Sequence, residues 1–196
     1  AATQHPQVDY SKVNYSKAPW AREPWQCINY VSCHDNHTLA DKLKISGLGK
    51  FSPEQLEKMD VLANAIVLTS QGISFIHAGE EMMRTKKGVE NSFNRPDSIN
   101  AIDWKWKGEY AEVFAHYQQL ISIRKGHPAF RLPTADAIRR DLVFLETEAG
   151  VVAYSIEGQP AGDTWHRIVV VANSKPGPVS IDLPAGTWKK EYESVK

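Results

Sequence analysis

The stretch SPEQLEKMDVLANAIVLTSQGISFIHAG, residues 52–79, sets a helix and a strand on either side of a single glycine break. Ser52 is a natural N-cap, Pro53 suits the first helical position, and Gln55 completes a capping box. Together they open a helix over Pro53 to Thr69. Leu56, Met59, Ala63, Ile66 and Ser70 recur at helical spacing and are expected to form its buried stripe, with Glu57, Lys58 and Asp60 off it. Gln71-Gly72 ends the helix, and Ile73 to His77 read as a short apolar strand closed by Ala78-Gly79. Upstream, INYVSC (Ile28 to Cys33) reads as another short buried strand, ending at His34-Asp35-Asn36. Strand, helix of crossover length and strand make a βαβ unit, which implies parallel strands.

Outward from this unit the chain is less regular. The first 26 residues, broken by Pro6, Pro19 and Pro24, read as a long loop lying over something else. Glu80 to Gly108 form a second long connection. A helix over Glu109 to Lys125 places Val113, Tyr117, Leu120 and Arg124 on one face, with Phe114 and Ile121 beside it, and Gly126 and Pro128 terminate it. Near Leu132 the pattern changes. DLVFLET (141–147), a Glu-Ala-Gly turn, VVAYSIE (151–157), HRIVVVANS (166–174), VSIDL (179–183) and a last strand near Trp188 read as hairpins of an antiparallel β-sandwich. The fold class is α/β plus all-β, divided into residues 1–131 and 132–196.

The 196 residues carry 23 Lys+Arg against 23 Asp+Glu. That balance removes the electrostatic case for a nucleic-acid or anionic-membrane partner. No apolar run approaches the ~20 residues of a membrane span. Ala1 to Tyr10 show no export signal, and with no initiating Met, Ala1 reads as a cloning or processing boundary, the true N-terminus lying elsewhere. Localisation stays open. Cys27 and Cys33, six positions apart in an extended segment, would sit about 20 Å apart, beyond the ~7 Å reach of a disulfide. They are expected to be buried free thiols.

Ligands of parallel α/β units gather outside the carboxyl ends of the strands. His34-Asp35-Asn36 leaves one such end and His77-Ala78-Gly79-Glu80-Glu81 the other, so both open on one face. The cluster His34-Asp35-Asn36-His37 has three readings. A metal site would have too few ligands. A capped turn would use Asp35 or Asn36 on backbone amides. A polar pair would bind a neutral, hydroxyl-rich substrate, one side chain donating while the other accepts. Glu80 and Glu81 are adjacent and do not face a common point, so a salt-bridged loop mouth is expected. His77 reads as a satisfied core histidine. Trp104 and Trp106 read as core or interface residues rather than sugar platforms. Lys86-Lys87 and Arg139-Arg140 read as solvated charge. No Gly-rich phosphate loop, GxSxG elbow or HExxH helix is present.

Four blocks in order, INYVSCHDNHTLADKL (Ile28 to Leu43), MDVLANAIVLTSQGISFIHAGEEMMRTK (Met59 to Lys86), NSFNRPDSINAIDW (Asn91 to Trp104) and LISIRKGHPAFRL (Leu120 to Leu132), carry a family resemblance. The chain resembles the C-terminal part of a pullulanase, a debranching enzyme of the α-amylase superfamily of glycoside hydrolases. The resemblance implies that the two strands are the last two of a (β/α)8 TIM barrel, followed by a C-terminal β-domain. It implies that Asp35 is the third catalytic carboxylate, stabilising an oxocarbenium-like transition state, and that His34 hydrogen-bonds the same sugar ring. It places Asn36 beside them, and Asn91 and Asn94 on a substrate-lining loop. Asn91 stands where Asp is common, and Phe93 where Tyr is frequent.

A retaining glycosidase needs a carboxylate nucleophile and a general acid about 5–5.5 Å apart. In this superfamily they lie upstream, in Arg-x-Asp and Glu motifs, and the 33 residues before His34 hold neither. The 196-residue chain is therefore expected not to hydrolyse pullulan alone. Its implied partner is an α-glucan, and a bacterial source is implied. Calcium is frequent in the superfamily and open for the parent, though this chain shows no all-oxygen site. An alternative is a non-catalytic α-glucan-binding or interaction module. Exposed barrel edges would favour self-association of the isolated chain.

Overall fold

Helices predominate as far as residue 141 and the longer strands follow, in a computed structural model that describes residues 2–13 and 16–194. Ala1, the boundary noted above, lies outside the described residues. In chain order the elements are β1 (Ile28–Asn29), α1 (Leu39–Ser46), α2 (Pro53–Thr69), β2 (Ile73–Ser74), α3 (Asp97–Asn100), α4 (Trp106–Glu109), α5 (Ala111–Gly126), α6 (Ala135–Asp141), β3 (Leu142–Phe144), β4 (Val151–Glu157) and β5 (Arg167–Asn173). Short 3-10 turns punctuate the loops. No helix among the described residues is long and apolar enough to cross a membrane.

Contacts gather the chain into two compact units. The first comprises the described residues of 1–29, 69–73 and 123–189 and contains a three-stranded antiparallel sheet, order β3-β4-β5. Leu142 stands opposite Ile156, and Ile156 opposite Ile168, so one face collects the branched apolar side chains. The expected Glu-Ala-Gly turn joins β3 to β4, with Gly150 at φ 88° and the Val151 amide donating to the Glu148 carbonyl. β4 coincides with the expected VVAYSIE strand.

A second facing sheet is not what covers this face. Ala129, Phe130 and Leu132 from the loop after α5, with Ala137 and Ile138 of α6, pack onto Leu142, Ile156 and Ile168. Each such large apolar side chain contributes about 1.5–3 kcal/mol on burial. The sequence pattern did not announce α6, although Thr134 caps it by accepting from the Ala137 amide. VSIDL and the segment near Trp188 form no strands. Pro176, Pro178 and Pro184 supply no N–H to a ladder there, and Leu183 is exposed.

The irregular N-terminal segment covers the edge of this sheet. Gln7 donates from Nε2 to the Phe144 carbonyl and accepts from the Phe144 amide, replacing the strand that β3 lacks. β1 and β2 pair with each other but are two residues long, shorter than the expected 28–33 and 73–77. The Ile73 amide donates to the Cys27 carbonyl, and Asn29 Nδ2 to the Gln71 carbonyl. Among the described residues each has only the other as a ladder neighbour, so pairing stops after one step. Cys27 and Cys33 are free as expected, but half-buried rather than buried.

The second unit comprises the described residues of 30–68, 74–122 and 190–196. α2 starts as expected: Ser52 Oγ accepts from the Gln55 amide while the Gln55 side chain accepts from the Ser52 amide. Its buried face differs from the expected stripe. Asp60, Val61, Asn64, Val67 and Leu68 are inside, whereas Ile66 is exposed. The rotation has a polar cause. Tyr117 of α5 donates to Asp60 Oδ1 at 2.6 Å and accepts from Asn64 Nδ2 at 2.6 Å, drawing both α2 polar residues inward. The expected face of α5 is observed, with Val113, Tyr117, Leu120 and Arg124 all buried. The helix read as continuous from Glu109 is broken at Tyr110, which leaves α4 as a separate turn.

Candidate functional site

A hollow of about 250 Å³ opens in the second unit, lined by His34, Asp35, His77, Arg84, Asn91 and Phe93 among others. Ligand pockets usually hold about 300–1,000 Å³, so this one is at the small end. Of the five site residues that the resemblance implies, the structure brings together three: His34, Asp35 and Asn91. Asn36 and Asn94 do not line it. Both are exposed.

Asp35 projects from the turn between β1 and α1. Its side chain is 75% exposed and that of His34 83%, and His34 Nδ1 lies 3.4 Å from Asp35 Oδ1. No neighbouring side chain clamps the carboxylate, so its direction follows from the backbone. That backbone is unusual at Asn36, which has φ 62°. Asn is among the residues that tolerate this left-handed region best.

The next turn opens α1. Thr38 Oγ1 accepts from the Asp41 amide and donates to Asp41 Oδ2 at 3.0 Å. Asp41, buried, also takes the Thr85 hydroxyl on Oδ1 and the Lys86 amide on Oδ2 at 2.7 Å. Thr38-x-x-Asp41 is a cap signature legible in the sequence.

Lys86 corrects the reading as solvated charge. It is 2% exposed, and its ammonium donates to the carbonyls of Asn36, at 2.6 Å, and Glu90. Arg84 does similar work: Nη1 donates to the Ala78 carbonyl and Nη2 to that of Asn100 at 2.7 Å. Asn100 in turn donates to the carbonyls of Ser92 and Arg95. Gly79, at φ 97°, lets this happen, because a Cβ there would come within 2.7 Å of the Arg84 side chain.

His77 is not a satisfied core histidine. It is half-buried, its Nδ1 is buried without a partner, and its Nε2 lies 3.4 Å from Arg84 Nη1. Burial first, then the charges of Arg84, Lys86 and His34, lower its pKa and favour the neutral ring. Glu80 and Glu81 form neither an acid/base pair nor a salt-bridged mouth. Glu80 is buried, takes the Ser32 hydroxyl and the His77 amide, and is pushed by burial up to about 7. Glu81 accepts from the Gly79 amide. Asp60 is pushed by burial up to about 8, with Glu80 and Glu81 adding repulsion. Trp104 is exposed and Trp106 half-buried, and neither lines the hollow.

Among the described residues no group of three His, Cys, Asp or Glu side chains could hold a metal ion, and His34 and His37 gain no third ligand. The hollow offers an exposed carboxylate acceptor, amide donors and acceptors, and imidazoles that donate on one nitrogen and accept on the other. Such a set suits a neutral, polyhydroxylated ligand.

The profile described as "Pullulanase, all-beta domain" matches residues 138–190. A pullulanase of Bacillus subtilis is 42% identical over 159 residues, covering 81% of this chain. An isoamylase of a Flavobacterium species is 27% identical, over 65% of it. The crystal structure of a Paenibacillus barengoltzii pullulanase in complex with maltohexaose and alpha-cyclodextrin is 45% identical and covers 89% of this chain, with a TM-score of 0.82. The chain spans 22% of the Bacillus protein, 19% of the isoamylase and 27% of the crystallised Paenibacillus chain. The resemblance to the C-terminal part of a pullulanase, read from four sequence blocks, is borne out.

Proposed function

We propose that this chain, similar to pullulanases over four fifths of its length, is the C-terminal portion of a debranching glycoside hydrolase. The parent would cleave α-1,6-glucosidic branch linkages in pullulan, starch or glycogen dextrins with retention of configuration. Residues 1–131 would complete a (β/α)8 barrel and residues 132–196 would form a C-terminal all-β domain, a reading that the match over 138–190 supports.

In this reading Asp35 accepts hydrogen bonds from the sugar at the cleaved bond. It stabilises the positive charge that develops on that ring, and His34 donates to the same ring. Asn91 contributes from the facing loop, with Asn36 and Asn94 beside the path of the glucan. The nucleophile and the general acid come from outside these 196 residues, so the chain alone supplies one carboxylate of three and is inactive.

The observation that carries the reading is the meeting of His34 and Asp35, from one sequence block, with Asn91, from another, around one hollow. The test is release of reducing ends from pullulan by the full-length protein with Asp35→Asn. Lost electrostatic stabilisation of a transition state typically costs about 10²–10³ in kcat. A loss within about tenfold sinks the assignment of Asp35, and turnover by the purified 196-residue chain sinks the division of carboxylates. The second reading is a non-catalytic α-glucan-binding module. Maltohexaose in the similar Paenibacillus structure favours glucan contact in either case. Calorimetry with maltooligosaccharides separates the two, because a part of a cleft binds poorly and a built module tightly.

A further inference from the structure

The Asp35 carboxylate is three-quarters exposed, and the imidazole of His34 beside it is equally free. A group in that position has no packing to aim it. Its direction is inherited from the peptide units on either side, and the residue that follows it holds a left-handed backbone at φ 62°. Such a conformation persists only where the surroundings over-determine it.

The surroundings here are Lys86. Its stem is buried, and its ammonium reaches the carbonyl oxygen of Asn36 at 2.6 Å and that of Glu90 at 3.3 Å. Charge-assisted bonds of this kind are roughly twice as strong as neutral ones. Burying an ammonium with carbonyl partners alone is expensive unless the geometry is good. The backbone of the same residue is fixed too, because the Lys86 amide donates to Asp41, at the first turn of the helix that follows the Asp35 turn. One lysine thereby holds the Asp35 turn by side chain and main chain at once. Its second carbonyl, Glu90, immediately precedes Asn91 on the other wall of the hollow.

We propose that Lys86 is a positioning residue for Asp35: it fixes the peptide after Asn36 and the start of the Asn91 loop in one frame, and so sets the separation of the two walls. The proposal rests on the glycosidase reading of Asp35. It predicts an effect on the chemical step rather than on binding, since a displacement near 1 Å can cost about 10²-fold in rate.

The experiment is a double-mutant cycle in the full-length protein, with kcat and KM on pullulan for wild type, Lys86→Met, Asp35→Asn and the double variant. Methionine keeps the stem and removes the donor. Lys86→Met is expected to lower kcat by about 10²-fold while KM moves within about threefold. In the Asp35→Asn background the same change is expected to cost almost nothing, because there is no carboxylate left to aim. A Lys86→Met loss of equal size in both backgrounds would make Lys86 a general structural group and overturn the proposal. An unchanged kcat would overturn it as well.

If Lys86→Met does not fold, Lys86→Gln, whose shorter neutral amide loses the charge-assisted bond to the Asn36 carbonyl, takes its place in the cycle under the same criteria. A protein that folds with neither substitution also assigns Lys86 to stability alone and overturns the proposal. Asp35→Asn without effect strikes the glycosidase reading itself. That outcome is read from a different arm of the cycle, so the two failures stay distinct.

Discussion

The two compact units solve the problem of internal order by different means. The sheet unit has a hydrocarbon interior: Phe130, Ile138, Leu142, Ile156 and Ile168 meet with no ionisable side chain among them. The unit around the hollow packs Val61, Met83, Val113 and Tyr117 into an apolar cluster of its own. Beside them it buries Asp41, Asp60, Asn64, Glu80 and Lys86. Hydrocarbon packing is strong but tolerates volume-conserving exchange. Hydrogen-bonded burial fixes direction and is costly when a partner is lost. Around the hollow, buried hydrogen-bonded groups add aim to cohesion; in the cluster on the sheet face, hydrocarbon supplies cohesion alone.

Breaking the apolar side should give the largest change. Phe130→Ala is expected to destabilise by about 3–5 kcal/mol, the usual range for truncating a buried Phe. Chemical denaturation checks it, and a cost below about 1 kcal/mol would mean that Phe130 is not part of a close-packed core.

On the polar side, the comparison is sharpened by pH. Asp60 is raised by burial from 3.8 to about 8, and Glu80 from 4.5 to about 7. Between the unfolded and folded values the native state keeps protons that the unfolded chain has released. Stability should therefore fall as pH rises from about 4 to about 8, by up to about 1.4 kcal/mol per unit for each group. Asp60→Asn keeps an oxygen for the Tyr117 hydroxyl and has no proton to lose. It should flatten the slope and leave the variant more stable than wild type at pH 9. A slope unchanged by the substitution would remove Asp60 as its source.

Helix caps give a smaller contrast. Thr134→Ala, at an exposed cap of α6 beside the apolar core, should cost about 0.5–2 kcal/mol. Thr38→Ala strips a buried cap whose hydroxyl also donates to Asp41, and should cost more than its counterpart. Equal values from thermal melts would erase the distinction between the two units at that level. Lys175→Ala, which removes a partly exposed pair with Glu148, should change stability by no more than about 1 kcal/mol.

Local signals were the legible ones. α2 and β4 have the bounds that Ser52-Pro53-Gln55 capping and period-two alternation dictate, because both are decided by neighbours in sequence. The face of α2 was not legible. Apolar spacing put Leu56 and Ile66 inward, but Tyr117, more than fifty residues away, turned Asp60 and Asn64 inward instead. β1 and β2 were read too long because strand length depends on ladder partners, which composition does not reveal. At the hollow, His34, Asp35 and Asn91 could be picked out by motif and resemblance. Lys86 and Arg84 could not, since their partners are main-chain carbonyls that every residue type possesses.

That anonymity of the carbonyl has an evolutionary consequence. Lys86 holds Asn36 and Glu90, and Arg84 holds Ala78, by atoms that no substitution short of a backbone rearrangement removes. At Glu90 and Ala78, side chains are free to drift without loosening the grip, while the two cations are not. A rim framed this way separates inheritance of shape from inheritance of taste: new side chains can be tried against new ligands on a scaffold that does not have to be reinvented.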